Sequence, residues 1–159
     1  MKPRTLILTM FGLVLAATAL AAGEPLPAWA YPWVPDFKPH ADDGIPRRVP
    51  DSTAAFTITQ ERDLFFAPDW HPADHPPMPE VVAQGRKPDV RACGSCHRAE
   101  GTGGPENSSL AGLPAAYFVQ QMADFKSGAR PATIMHQLAK GYSEVQIDAI
   151  ATYFAAQKK

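Results

Sequence analysis

The chain is short of cysteine: only Cys93 and Cys96 occur in 159 residues. A disulfide framework needs several pairs, so the scaffold must find its stability elsewhere. Structural zinc normally takes four ligands, and no second Cys pair or closely spaced His pair follows. Basic charge is also scarce. Fifteen Lys plus Arg face 16 Asp plus Glu, with no basic block or stripe, so nucleic-acid binding has no electrostatic support. Strand signals are weak and no internal repeat is visible. Past the N-terminal apolar run, no stretch is long and apolar enough to cross a bilayer.

That run, Leu6–Ala22, follows Lys2 and Arg4 and ends among small residues, Ala19 and Ala21. A charged start, an apolar middle and a small-residue exit are the parts of a secretory signal peptide, here expected over residues 1–21. Without Lys2 and Arg4, 13 of the 15 basic residues remain against 16 acidic ones. The mature protein is expected to be soluble and exported, in the periplasm or otherwise outside the cytoplasm.

Proline is what the chain has in excess. Thirteen of 17 lie between Pro25 and Pro88, together with Trp29, Trp33 and Trp70. Proline fixes φ and lacks an N–H, so this half cannot be mainly long helix or central strand. Residues 22–77 read as an irregular extension that wraps or flanks the rest. One short helix is expected in it, from a Thr57/Gln60 capping box through "ERDLFF" to a stop at Pro68. His71 and His75 are four apart, but Pro72, Pro76 and Pro77 argue against a helix, and they read as ordinary loop histidines.

Residues 78–159 have a helical texture. Short helical pieces are expected in "EVVAQGR" and "PDVRACGSCH". A helix runs from Pro114 to Gly128, with Tyr117, Phe118, Met122 and Phe125 as its apolar face. A short helix fits before Gly141. A last helix starts at a Ser143/Gln146 capping box, with Val145, Ile147, Ile150, Ala151 and Phe154 inward.

"CGSCH", Cys93 to His97, carries the chemistry. A disulfide is sterically open to cysteines three apart, but a thioredoxin-like motif expects a βαβ surround that is missing. Haem uses every residue: each thiol adds to one vinyl group, and His97 is held beneath the iron as axial ligand. Gly94 and Ser95 read as small residues adding no bulk against the porphyrin.

From about Met78 the sequence resembles a class I c-type cytochrome of the small bacterial kind. The matching pieces are "ACGSCH", "GTGGP", "SLAGLPAAYFVQQMADFKSGAR" and "IMHQLAKGYSEVQIDAIATYF". The resemblance implies an all-α, cytochrome c-like fold around one covalent haem c. A helix leads into the Cys motif and a C-terminal helix crosses it, so that Val81, Val82 and Val90 face Ile150, Tyr153 and Phe154. It also implies a methionine as second axial ligand, for which Met135 is the candidate; His136, Met122, Met78 or an open position are the alternatives. Family usage assigns the carbonyl that orients His97 to Pro105, although "GPENSSLAG" is longer than the usual loop. Arg130 or Lys126 is a candidate partner for a haem propionate.

The expected function is an electron carrier rather than an enzyme. It would pass single electrons between redox proteins such as a dehydrogenase, a membrane complex or a terminal oxidase or reductase. The alternatives are a haem subunit of a periplasmic enzyme complex, or a peroxidatic or gas-binding haem protein if the sixth iron position is open. A docking subunit using the Pro/Trp-rich lead-in is a third reading.

Overall fold

A computed structural model describes residues 38–158. The expected signal peptide, Trp29 and Trp33 lie outside them. The described residues hold six helices: α1 Ile58–Arg62, α2 Glu80–Ala83, α3 Cys93–His97, α4 Ala115–Ser127, α5 Thr133–Gly141 and α6 Glu144–Ala155. No strand forms among them, only isolated bridges such as Phe66 with Gln84 and Arg86 with Val90. No described helix is long and apolar enough to cross a membrane.

Local chemistry accounts for the helix ends. Thr57 and Gln60 make the capping box of α1 and Ser143 and Gln146 that of α6, each satisfying two orphan donors. Helix α4 starts after Pro114 and stops at Gly128, whose φ of 84° suits a residue without Cβ. Helix α1 ends at Arg62, well short of Pro68. The Asp63 carboxylate accepts from the Phe65 N–H at 2.8 Å, a local turn that competes with another helical turn. Phe66 then pairs with Gln84 instead.

The core joins α4, α5 and α6 to the segment before the motif. Val82 and Val90 pack with Phe118, Met122, Phe125, Ile147, Ile150, Tyr153 and Phe154, and Val81 packs against their edge. Two expected core residues lie outside it. Tyr117 is 48% exposed and Val145 is 79% exposed. On α6 the buried positions 147, 150, 151 and 154 define one face, and position 145 falls off it. On α4 the buried set is 118, 122 and 125, and position 117 lies one step around the helix from it. The helix expected ahead of the motif is a single turn, α2. After it Gly85 runs so close to the Val90 carbonyl and Ala92 N–H that no Cβ would fit.

The described part of the proline-rich lead-in is hydrogen-bonded into this frame, and residues 40–159 form one compact unit. The Ala67 N–H donates to the Ala83 carbonyl, the Gly85 N–H to that of Phe65, and the Ala92 N–H to that of Leu64, each at 2.9 Å. Phe56 sits edge-on between Phe66 and Trp70, with ring centroids 5.7 and 4.8 Å away.

His75 is not an ordinary loop histidine. Its side chain is 2% exposed. Nε2 lies 3.0 Å from Asp69 Oδ1, and Nδ1 lies 2.8 Å from the Pro76 carbonyl and 3.0 Å from the Tyr153 hydroxyl. That hydroxyl donates to the Ala99 carbonyl at 2.7 Å, so it accepts from His75. Both ring nitrogens therefore face acceptors, which favours the doubly protonated ring. Burial opposes the charge, but the Pro76 carbonyl and the Asp69 carboxylate, with a smaller contribution from Glu100, leave the pKa above its ordinary 6.5. The stabilisation this group adds is complete below about pH 6.5 and is lost as pH rises through the folded value. The expected outcome is a fall in unfolding free energy between pH 6 and pH 8 that is absent in His75→Gln. Equal slopes for the two proteins in denaturant titrations would contradict it.

Candidate haem-attachment site

Helix α3 has five residues, too few to be stable alone. It is held from outside. Ser95 Oγ donates to carbonyls, reaching Ala92 at 2.8 Å and Leu64 of the lead-in at 3.0 Å. Gly94 is buried, and a Cβ there would lie 2.7 Å from Ala67 Cβ and 2.9 Å from the Val82 carbonyl oxygen. The smallness of Gly94 thus answers to the protein's own packing against Ala67 and Val82, a correction to its reading as a residue facing the porphyrin. Ser95 is likewise a tie to the lead-in and not merely a small residue.

Both cysteines are free thiols, partly buried on this one helix. Cys93 Sγ lies 3.3 Å from the Tyr142 hydroxyl, which itself donates to the Arg91 carbonyl. Burial, with some repulsion from Cys96, pushes the Cys93 thiol up to about 11. Redox-active thiols have lowered values, so this environment disfavours a thiol–disulfide switch. Among the described residues no group of three or more His, Cys, Asp or Glu is placed to hold a metal ion by itself.

The His97 ring is fixed through Nδ1, 2.8 Å from the Ser108 carbonyl oxygen. The acceptor expected from family usage was Pro105. The longer loop explains the difference: Gly104 and Asn107 exchange backbone hydrogen bonds at 3.0 and 3.2 Å, turning Pro105 outward and bringing Ser108 to the ring. Burial holds the His97 pKa below its ordinary value, against the Ser108 bond that raises it. The neutral ring protonated on Nδ1 has its lone pair on Nε2, the form an axial ligand requires.

The chain leaves α3 through Arg98, whose φ of 64° is unusual for a residue with a side chain. The conformation is held because the His97 carbonyl accepts from the Gly103 N–H and the Arg98 carbonyl from the Gly101 N–H. Gly101 in turn lies against the Phe154 ring, where a Cβ would come within 2.7 Å. Helix α6 therefore backs the loop that carries Ser108.

The remaining candidates divide. Met135, on α5, is partly buried and packs against the core. Met122 is buried inside α4, and Met78 packs against the core from the lead-in. His136 Nδ1 lies 2.6 Å from the Phe125 carbonyl, so its ring is turned to the end of α4. Arg130 lies over the Phe125 ring, 4.6 Å from its centroid, and donates to Gln121 Oε1. Sequence reasoning missed Tyr142 and Ser108. A Tyr just after a helix-ending Gly141 was the sequence signal for the first, and a backbone carbonyl leaves no residue-type signal for the second.

The donor set fits a covalently attached haem: two thiols and one neutral imidazole with Nε2 available, all on one short helix. No family model matches the chain. It is similar over 73 residues, 45% of its length, to the thiosulfate dehydrogenase electron acceptor of Thiomonas intermedia, at 40% identity and 34% of that protein. It is 35% identical over 68 residues to the cytochrome subunit of sulfide dehydrogenase of Chlorobaculum tepidum, covering 62% of it. A solved cytochrome c4 of Acidithiobacillus ferrooxidans is similar over 42% of this chain and 39% of that one, at 34% identity and a TM-score of 0.41. The matched region spans about a third of the length of the first of these relatives. The resemblance to class I c-type cytochromes holds among these relatives, and the described fold is all-α as that class requires.

Two outcomes follow from the packing. Gly94→Ala forces Ala67 and Val82 apart and should cost about 1–3 kcal/mol of stability, measured by denaturant unfolding; an unchanged midpoint contradicts the packing described. Pro105→Ala should leave the spectrum of the haem-loaded protein unchanged, because the Ser108 carbonyl holds His97; a changed axial-ligand band would restore Pro105 to that role.

Proposed function

From this similarity to c-type cytochromes, we propose that the protein is an exported single-electron carrier holding one haem c through Cys93 and Cys96. The observation that carries the reading is the one-helix arrangement of two thiols and His97, with Nδ1 committed to Ser108 and Nε2 available. A haem c bound there supplies a one-electron iron couple. Cys93 and Cys96 would hold it by thioethers, and His97 would bind the iron through Nε2. Burial keeps that imidazole neutral, and the Ser108 carbonyl holds it in one orientation.

Met135 is the sixth ligand in this reading. The support is by comparison: Met122 is enclosed in the core, whereas Met135 is partly buried and packs against its edge. With Met135 and His97 both holding the iron, the potential would be raised and a gas or a peroxide would find no ligand position. Pro105 has no role in this reading, and Arg130 stays a propionate partner only if it leaves Phe125 and Gln121.

The proposed donor is a dehydrogenase that releases electrons singly. One relative is named as the electron acceptor of thiosulfate dehydrogenase and another as the cytochrome subunit of sulfide dehydrogenase. The apolar run near the N-terminus supports a place outside the cytoplasm, where c-type haem is attached. The lead-in is a structural wrap in this reading, since its backbone holds the approach to α3 and His75 ties it to Tyr153.

The test is the haem-loaded protein beside Met135→Ala. The parent should show a methionine-to-iron absorption band when oxidised and should not take up carbon monoxide when reduced. Met135→Ala should lose the band and bind carbon monoxide. A parent that binds carbon monoxide readily contradicts the carrier reading and favours a gas-binding or peroxidatic protein.

A further inference from the structure

Met135 and His136 are neighbours on α5 with different surroundings. His136 Nδ1 lies 2.6 Å from the Phe125 carbonyl oxygen, in the last turn of α4. Carbonyls in a last turn lack intrahelical partners. This one also takes the Gly128 N–H, at 3.2 Å, and a carbonyl oxygen has two lone pairs to offer. The other side of the turn is closed by Arg130, whose N–H donates to the Asp124 carbonyl at 3.1 Å and whose guanidinium covers the Phe125 ring. The His136 N–H donates to the Ala132 carbonyl at 2.8 Å, opening the hydrogen-bond ladder of α5. The turn between α4 and α5 is thus tied around Phe125 from several directions, and the His136 ring is the tie that comes from α5 itself.

Adjacent side chains on a helix point about 100° apart around its axis. Anchoring the ring at position 136 therefore sets the direction of the side chain at 135. Without that anchor, α5 would have only its apolar contacts to fix its rotation, and apolar contacts are not directional. Met135 and Leu138 pack against the core, whereas Ile134 is about half exposed, so a small rotation would change which of them turns inward.

We propose that His136 is a positioning residue: its N–H, bonded to the Phe125 carbonyl, sets the rotation of α5 that presents Met135 to the iron. This rests on Met135 as the sixth ligand. The working group is the N–H donor and not the charge of the ring.

The experiment uses the full haem-loaded protein and the variants His136→Leu, His136→Ala and His136→Asn. Leu keeps bulk and Ala removes it, but both lack the donor; Asn places an amide N–H near the position of Nδ1. Two signals are read at a temperature where helix content equals that of the parent: the methionine-to-iron band when oxidised, and the carbon-monoxide-bound fraction when reduced. Losing one neutral hydrogen bond multiplies a locally open population about fivefold. The donorless variants should therefore weaken the band and raise carbon monoxide uptake by about that factor, while Asn should restore both toward the parent. If His136→Leu does not fold, His136→Ala decides by the same signals. A folded donorless variant with the parent's band and uptake overturns the positioning role alone. A parent without the band overturns the ligand assignment, and the positioning role with it.

Discussion

The hydrogen bond from His97 Nδ1 to the Ser108 carbonyl is the contact on which the site depends. It fixes the tautomer, holds the ring in one direction and leaves Nε2 as the available atom. A bond to a backbone carbonyl is only as good as the loop that presents it. Here the loop is set by Gly101 against Phe154, by the Gly103 N–H on the His97 carbonyl, and by the Gly104–Asn107 exchange. Tyr153 on α6 holds the first residue of that loop, Ala99. The last helix of the chain thereby controls the orientation of a histidine more than forty positions earlier.

The same dependence runs in the other direction, into the lead-in. A five-residue helix cannot hold two thiols and an imidazole in register by itself. Residues 64–67 supply what it lacks: the Leu64 carbonyl takes both the Ala92 N–H and the Ser95 hydroxyl, and Ala67 fills the space against Gly94. Pro68, directly after this segment, limits the freedom it must give up on folding. The described lead-in is part of the frame of the site, and His75 fastens its far end to α6.

Much of this was legible in the residues. The two capping boxes, Pro114 and Gly128 mark helix ends because their chemistry is local, and the structure keeps them. The Cys-x-x-Cys-His run identifies its chemistry because spacing and residue types are both required. Legibility fails where tertiary partners decide. Tyr117 and Val145 fit an apolar period but lie off the buried faces, since periodicity does not say how wide the covered stripe is. Pro105 gives way to Ser108 because the Gly104–Asn107 backbone exchange decides which loop carbonyl faces the ring. His75 looked like a loop residue because Asp69 and Tyr153, which make it a buried tie, lie six and 78 positions away.

The central claim is that Cys93 and Cys96 form thioethers to one haem. The most direct measurement is the intact mass of the purified protein after denaturation, which removes any haem held only by coordination. The account predicts the mass of the processed chain plus one haem, unchanged by a thiol reductant. A mass equal to the bare chain, or lower by two hydrogens and restored by reductant, would contradict it.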